Sequence, residues 1–406
     1  MRKRIPKTTE TRENMETKTN ETWLTRAVRR YFTEALGSMA KGLFATLLVG
    51  TIIGAVAMLL GMALPAEGTE LGSWQKALLA ITKFLNAIAG VAKNNYVVGA
   101  AIGIAIAHGM KASPLVLFSA AVTGAIGYCA GVGEKAIGFV ASDVSVTAGP
   151  IGAYFAAIIG VELGQLVAGK TKVDILVVPL VSILSGGLVG YLLGAPLALF
   201  IKWLAHVIGL ATAMAPVPMG IVVAVLVGWI LTAPISSAAI CAMIFSESII
   251  GSLEADAARG LMLAAGAATV GCCCQMVGFA VASFRENRWG GLVSQGIGTS
   301  MLQVPNIMRH PAIIIPPTLA AVILGPISTT VLPMFNTGIN AGMGTCGFVG
   351  QIGTYITMLG MEGESWLTVT LKVLALHIVF PALIAFGASE LMRKLKWIKT
   401  GDQLLD

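Results

Sequence analysis

The chain has 406 residues, 56% of them hydrophobic and only 12% charged, with a formal net charge of +7 and a mean hydropathy of +0.83. Soluble domains carry about 25% charged residues, so a soluble enzyme is excluded in favour of a polytopic membrane protein. The charge sits at the ends: ten of the 27 Lys/Arg fall in residues 1–41 and four more in 393–399, which places both termini on the cytoplasmic side and directs the tails to anionic lipid headgroups, not nucleic acid.

In chain order, residues 1–37 form a basic cytoplasmic tail, mixed in charge and unable to build a core over its first twenty residues. Trp23 to Leu36 is spaced for an interfacial amphipathic helix. The first apolar run, Leu43 to Leu64, is long enough to span and is read as a span, not a cleaved leader. It exits into a loop with Glu67 and Glu70. Lys76 to Val91 is an amphipathic connector, Asn95 to His108 returns inward, and Pro114 to Gly131 goes out to a polar loop with Glu134, Lys135 and Asp143. Gly149 to Ala168 leads to the basic turn Gly169-Lys170-Thr171-Lys172. Asp174 to Leu199 goes out with Gly186, Gly190 and Gly194 on one face, and Lys202 to Met214 is a second connector.

The second half repeats this count. Val217 to Ile235 runs inward, Ser236 to Leu253 outward and Ala257 to Phe284 inward, ending at Arg285-Glu286-Asn287-Arg288. Trp289 to Val304 is too short and too polar to cross, and is expected to dip in as a hairpin. Ala312 to Phe335 runs outward, a Gly-rich hairpin follows, and Trp366 to Leu391 returns to the basic end. The expected fold is an all-α integral membrane protein with about ten transmembrane helices, two re-entrant hairpins and amphipathic connectors. Its membrane domain covers 38–397, and residues 398–406 form a cytoplasmic C-terminal tail. Five spans per half would give the halves opposite orientation, although no sequence repeat supports that symmetry.

The Gly-rich hairpin, Asn336 to Gly353, has six glycines in eighteen residues and no charge. Each interior Gly costs a helix about 1 kcal/mol relative to Ala, while Ile339, Met343, Phe348, Val349 and Ile352 are too apolar for a solvent loop. Broken backbone at membrane depth is tolerated where it is buried in protein or lines a wet cavity; the alternative is a Gly-packed helix contact. Around it stand neutral donors and acceptors suited to a polar solute: Gln303, Asn306, Asn336, Asn340 and Gln351. Amides replace water around hydroxyls without the cost of burying a charge, though each of these is equally suited to capping a broken helix end. Pro305 and Pro311 keep the segment between them from being regular helix, and His310 adjoins the cluster. Glu247, in Ser246-Glu247-Ser248, is an ionisable group in an apolar run, which points to function unless the outer interface solvates it.

The six cysteines (Cys129, Cys241, Cys272, Cys273, Cys274 and Cys346) lack the spacing of a metal or cluster site and read as packing residues. No phosphate-binding loop accompanies them. No metal, cofactor or catalytic residue is expected within the chain.

The run Gly298-Thr-Ser-Met-Leu-Gln-Val-Pro-Asn306, with His310-Pro311, Ile315-Pro316-Pro317 and Gly325-Pro326, resembles the integral-membrane IIC component of bacterial phosphotransferase sugar systems. So does Asn336-Thr-Gly-Ile-Asn340-Ala-Gly-Met-Gly344, and Gly149-Pro150 and the Gly169 to Asp174 turn are similar as well. The resemblance covers about residues 38–395 and is nearest a stand-alone IIC-like branch that includes toxin regulators of the perfringolysin-regulator type. It implies a homodimer in the bacterial cytoplasmic membrane that moves a sugar and hands it to cytoplasmic IIB and IIA phosphoryl carriers. An ion-coupled secondary transporter and a membrane-bound regulator or sensor are the alternatives.

Overall fold

The computed structural model describes residue 27 and residues 29–61, 63–64, 72–133, 136–140, 146–233 and 237–405. Residues 23–26 and 28 of the Trp23 to Leu36 stretch lie outside them, as do Glu67, Glu70, Glu134, Lys135, Asp143 and Pro234.

A π-helical turn, Arg29–Ala35, leads into α1 (Leu36–Gly61). Then come α2 (Ser73–Ala92) and α3 (Asn95–Gly109), bent by 53°. The bend falls at Asn94, whose Oδ1 accepts the Tyr96 N–H at 3.0 Å and so starts the second helix. Next is α4 (Pro114–Cys129), with Pro114 in the first turn, where a missing N–H costs nothing.

The chain then makes a small sheet that the all-α reading does not contain: β1 (Ala130–Val132) pairs in parallel with β2 (Ile137–Val140) and antiparallel with β3 (Val146–Thr147). These segments are three, four and two residues long, too short to show an alternating pattern. With 82% of the described residues helical, the sheet is the exception to an otherwise helical membrane protein.

After α5 (Gly149–Val167) comes α6 (Asp174–Met214), an unbroken helix of 41 residues. Here a separate connector at Lys202 to Met214 is not found. The helix runs on through Lys202, with Pro179 and Pro196 both accommodated within it. Its first half packs on α4 and α5, and its second half on the central helix described next.

The second half of the chain comprises α7 (Pro216–Thr232), α8 (Ser237–Ile244), the four-residue α9 (Glu247–Ile250) and α10 (Ala255–Ala282). The outward span expected from Ser236 to Leu253 is therefore broken, at Phe245 and Ser246. The most apolar window of α10 is 83% buried, against 22% for α6. That difference makes α10 the axis of the second half and leaves one flank of α6 to its surroundings. Lipid supplies no hydrophobic drive between helices, so close contact depends on small residues. A methyl on Gly103 would stand 1.9 Å from the Ala120 carbonyl oxygen, and one on Gly260 would stand 2.0 Å from that of Gly209.

Beyond α10 the chain breaks twice. The first break runs through α11 (Phe284–Val293), a π turn at Ser294–Gly298, a 3₁₀ turn at Ser300–Gln303 and α12 (Val304–Arg309). Pro311 then opens a 3₁₀ turn into α13 (Ile315–Thr329). The second break contains 3₁₀ turns at Gly338–Gly342 and Cys346–Phe348, followed by α14 (Val349–Leu359) and α15 (Trp366–Lys394). Among the described residues six helices are long and apolar enough to cross a bilayer, or seven if α2 and α3 count as one bent span. Four shorter apolar helices accompany them.

Candidate functional site

The second break owes its shape to glycine. Gly338, Gly344 and Gly347 all have φ between +53° and +55°, a region L side chains rarely adopt. The freed backbone is re-satisfied by neighbours: the Gly338 N–H donates to the Phe245 carbonyl at 2.6 Å, which ties this break to the one between α8 and α9. Asn336 is fully buried and saturated. Its Nδ2 donates to Thr269 Oγ1, the Gly350 carbonyl and Thr354 Oγ1, and its Oδ1 accepts from the Thr337 N–H. It holds the break together.

Asn340, four residues on, is different. It too is buried, but its Oδ1 has no partner among the described residues. Its side chain lies against Gly353 of α14, where an added methyl would be 2.3 Å from the Asn340 Cβ, so glycine makes the seat. Asn340 lines a cavity of about 240 Å³ together with Glu247, Ser246, Ser248, Lys93 and Asn95. Tyr128 and Thr337 add further hydroxyls. Glu247 opens the short α9, and neither it nor Lys93 is in an ion pair among the described residues. One carboxylate, one ammonium, amides and hydroxyls thus face a small space, an array that can replace the water around a hydroxyl-rich solute.

Gln303, Asn306 and His310 are held elsewhere. Gln303 is fully buried, its Nε2 donating to Gln295 Oε1 at 2.9 Å and to the Gln403 carbonyl at 3.0 Å. Asn306 Nδ2 donates to Gln303 Oε1 and to the Leu404 carbonyl, both at 2.9 Å. His310 Nδ1 stands 3.6 Å from the Asp402 carboxylate. All three grip the C-terminal tail and line no part of the Asn340 cavity. Gln351 takes a third place, on α14. Its Nε2 is 3.2 Å from His377 Nδ1 and 3.5 Å from Cys273 Sγ, inside the protein and away from that cavity. The structure therefore joins Asn340 with Glu247 and separates them from the other amides.

Lys93, Asn95, Tyr128 and Thr337 enter the cavity without having been singled out as solute contacts. Asn95 is the first residue of α3, and Lys93 caps the end of α2. Only the Ser-Glu-Ser run carried a signal.

A second cavity, of about 310 Å³, begins one turn back along α8. It is lined by Ala238, Met343, Cys346, Gly298, Thr299 and Met301, so both breaks border it. Ala238, Ala239, Ala242, Ile339 and Met343 pack in one apolar cluster between the two spaces. The breaks also touch directly, Thr345 Oγ1 donating to the Gly296 carbonyl.

The family model described as "Phosphotransferase system, EIIC" matches residues 33–405. No curated protein and no solved structure matches the chain.

Proposed function

The chain belongs to the EIIC family of the phosphotransferase system, the membrane component of its sugar permeases, and from that premise we propose that it moves a sugar or similar polar metabolite by alternating access between its two cavities. The observation that carries this reading is the pair of spaces stacked along α8, one polar and one largely apolar, parted by a few small side chains and Met343. Shifting the second break would open one space and close the other, because Asn340 borders the first and Met343 the second. Asn340 and Glu247 bind the solute, Lys93 and the hydroxyls of Ser246 and Ser248 orient it, and Asn336 and Gln351 hold the break that carries the site. Any phosphorylation is done by separate IIB and IIA subunits. Ten spans, re-entrant hairpins at the two breaks, a membrane body at 38–397, cytoplasmic termini and a homodimer complete the proposal.

The test is equilibrium binding of a panel of radiolabelled hexoses, pentoses and polyols to the purified full chain. Asn340→Ala and Glu247→Gln each weaken binding of whichever sugar the native chain retains by at least about tenfold, while Asn306→Ala leaves it intact. Loss of binding in Asn306→Ala with retention in Asn340→Ala would overturn the assignment. The unpaired Glu247 also favours a second reading, in which it carries a coupling proton. Uptake into vesicles driven by a pH gradient, with no phosphoenolpyruvate system present, would select that reading.

A further inference from the structure

The tail beyond α15 is built into the first break. Ile398 is buried with Phe279, Ile313 and Met392. The chain then turns at Lys399 to Asp402, where Asp402 Oδ2 accepts the Lys399 N–H at 2.7 Å and Gly401 has φ +101°. From there the strand is gripped by its backbone. Asn287 Nδ2 and Gln303 Nε2 both donate to the Gln403 carbonyl, Asn306 Nδ2 donates to the Leu404 carbonyl, and the Leu405 N–H donates to Asn287 Oδ1. Asn287 lies on the leg entering the break, and Gln303 and Asn306 on the leg leaving it. The tail thus staples the two legs together. Behind the staple, Gln303 continues through Gln295 to Ser283 Oγ, joining it to the end of α10.

One part of this contact is unsatisfied. The Gln403 side chain is fully buried, and neither its Oε1 nor its Nε2 has a partner among the described residues. An amide buried without partners opposes docking of the segment that carries it, whereas the grip on the backbone favours docking. A contact balanced in this way suits a releasable catch better than a permanent brace.

We propose that residues 399–405 form a strap that locks the first break and that its release opens the second cavity, whose border at Gly298, Thr299 and Met301 belongs to the stapled segment. The proposal deepens the alternating-access reading by naming what holds one of its cavities shut. Its test needs no solute, so the two fail separately.

Cys346 lines that cavity and is the one cysteine among the six that is not fully buried. The experiment measures its rate of modification by a small maleimide in the purified full chain, with Cys346→Ser as the blank. Removing residues 400–406 speeds labelling several-fold. For the opposite arm, Asn287→Cys with Leu405→Cys places thiols at an existing contact. Oxidation of that pair slows Cys346 labelling below the native rate, and reduction restores it. Equal labelling of the native, truncated and oxidised chains would overturn the strap. If the truncated chain does not fold, the oxidised and reduced double variant decides alone, equal rates in its two states refuting the proposal.

Discussion

The two breaks in the second half of the chain use the same side chain to different ends. In the first, Gln303 and Asn306 spend their hydrogen bonds on the chain's own tail. In the second, Asn336 spends its bonds inside the break, and Asn340 keeps an oxygen unpaired beside a polar cavity. An amide in an apolar protein is therefore not in itself a binding residue. The informative property is whether its neighbours leave it anything to bind with.

The most severe way to challenge this contrast is Asn336→Ala. It removes the three bonds that the Asn336 amide donates at a fully buried site and leaves the Thr337 N–H without its acceptor, and should cost on the order of 3 kcal/mol. A lowered midpoint of thermal unfolding in detergent checks it, and an unchanged midpoint would show that the second break is not built on this residue. Asn340→Ala comes next, with its effect on affinity: at least a tenfold loss of sugar binding, about 1.4 kcal/mol. Removing an unpaired buried oxygen is nearly neutral for folding, so the same variant should keep its unfolding midpoint. Asn306→Ala sharpens the contrast from the other side. It gives up bonds at a half-buried site for about 1 kcal/mol of stability, with sugar affinity unmoved in a titration. The smallest effect is expected for Arg285→Ala. The Arg285–Glu390 pair, at 2.7 Å, has an exposed guanidinium, and its loss should shift the midpoint by less than about 0.5 kcal/mol.

Much of this architecture is legible in the sequence where periodicity and punctuation agree. Asn95 to His108 and Gly149 to Ala168 emerge within a residue or so of the observed α3 and α5, because Asn94, Pro150 and the Gly169 turn mark their ends. The glycines of Asn336 to Gly353 likewise announce broken backbone. What is not legible is pairing over long separations. Gln303 meets Gln403 a hundred residues on, and a tail written Lys-Thr-Gly-Asp-Gln-Leu-Leu-Asp looks solvated until its carbonyls find the amides. Glu247 and Asn340 reach one cavity because the Phe245 carbonyl takes the Gly338 N–H, a backbone bond that no side-chain pattern encodes. The expected end of α6 at Leu199 follows from Lys202, a polar residue that a long helix tolerates when its stem lies along apolar neighbours.

That helix has a mechanical consequence. At 1.5 Å per residue it is a rod about 60 Å long, roughly twice the thickness of a bilayer's hydrocarbon layer. Near its start Gly186 is seated against the Ala156 carbonyl, and near its finish Gly209 is seated against that of Ala257. A beam anchored at opposite ends in two bodies transmits torque between them: if α5 tilts, α10 must answer. The missing amide hydrogen at Pro196 is a soft joint in the beam, and any rocking of one half on the other bends there first.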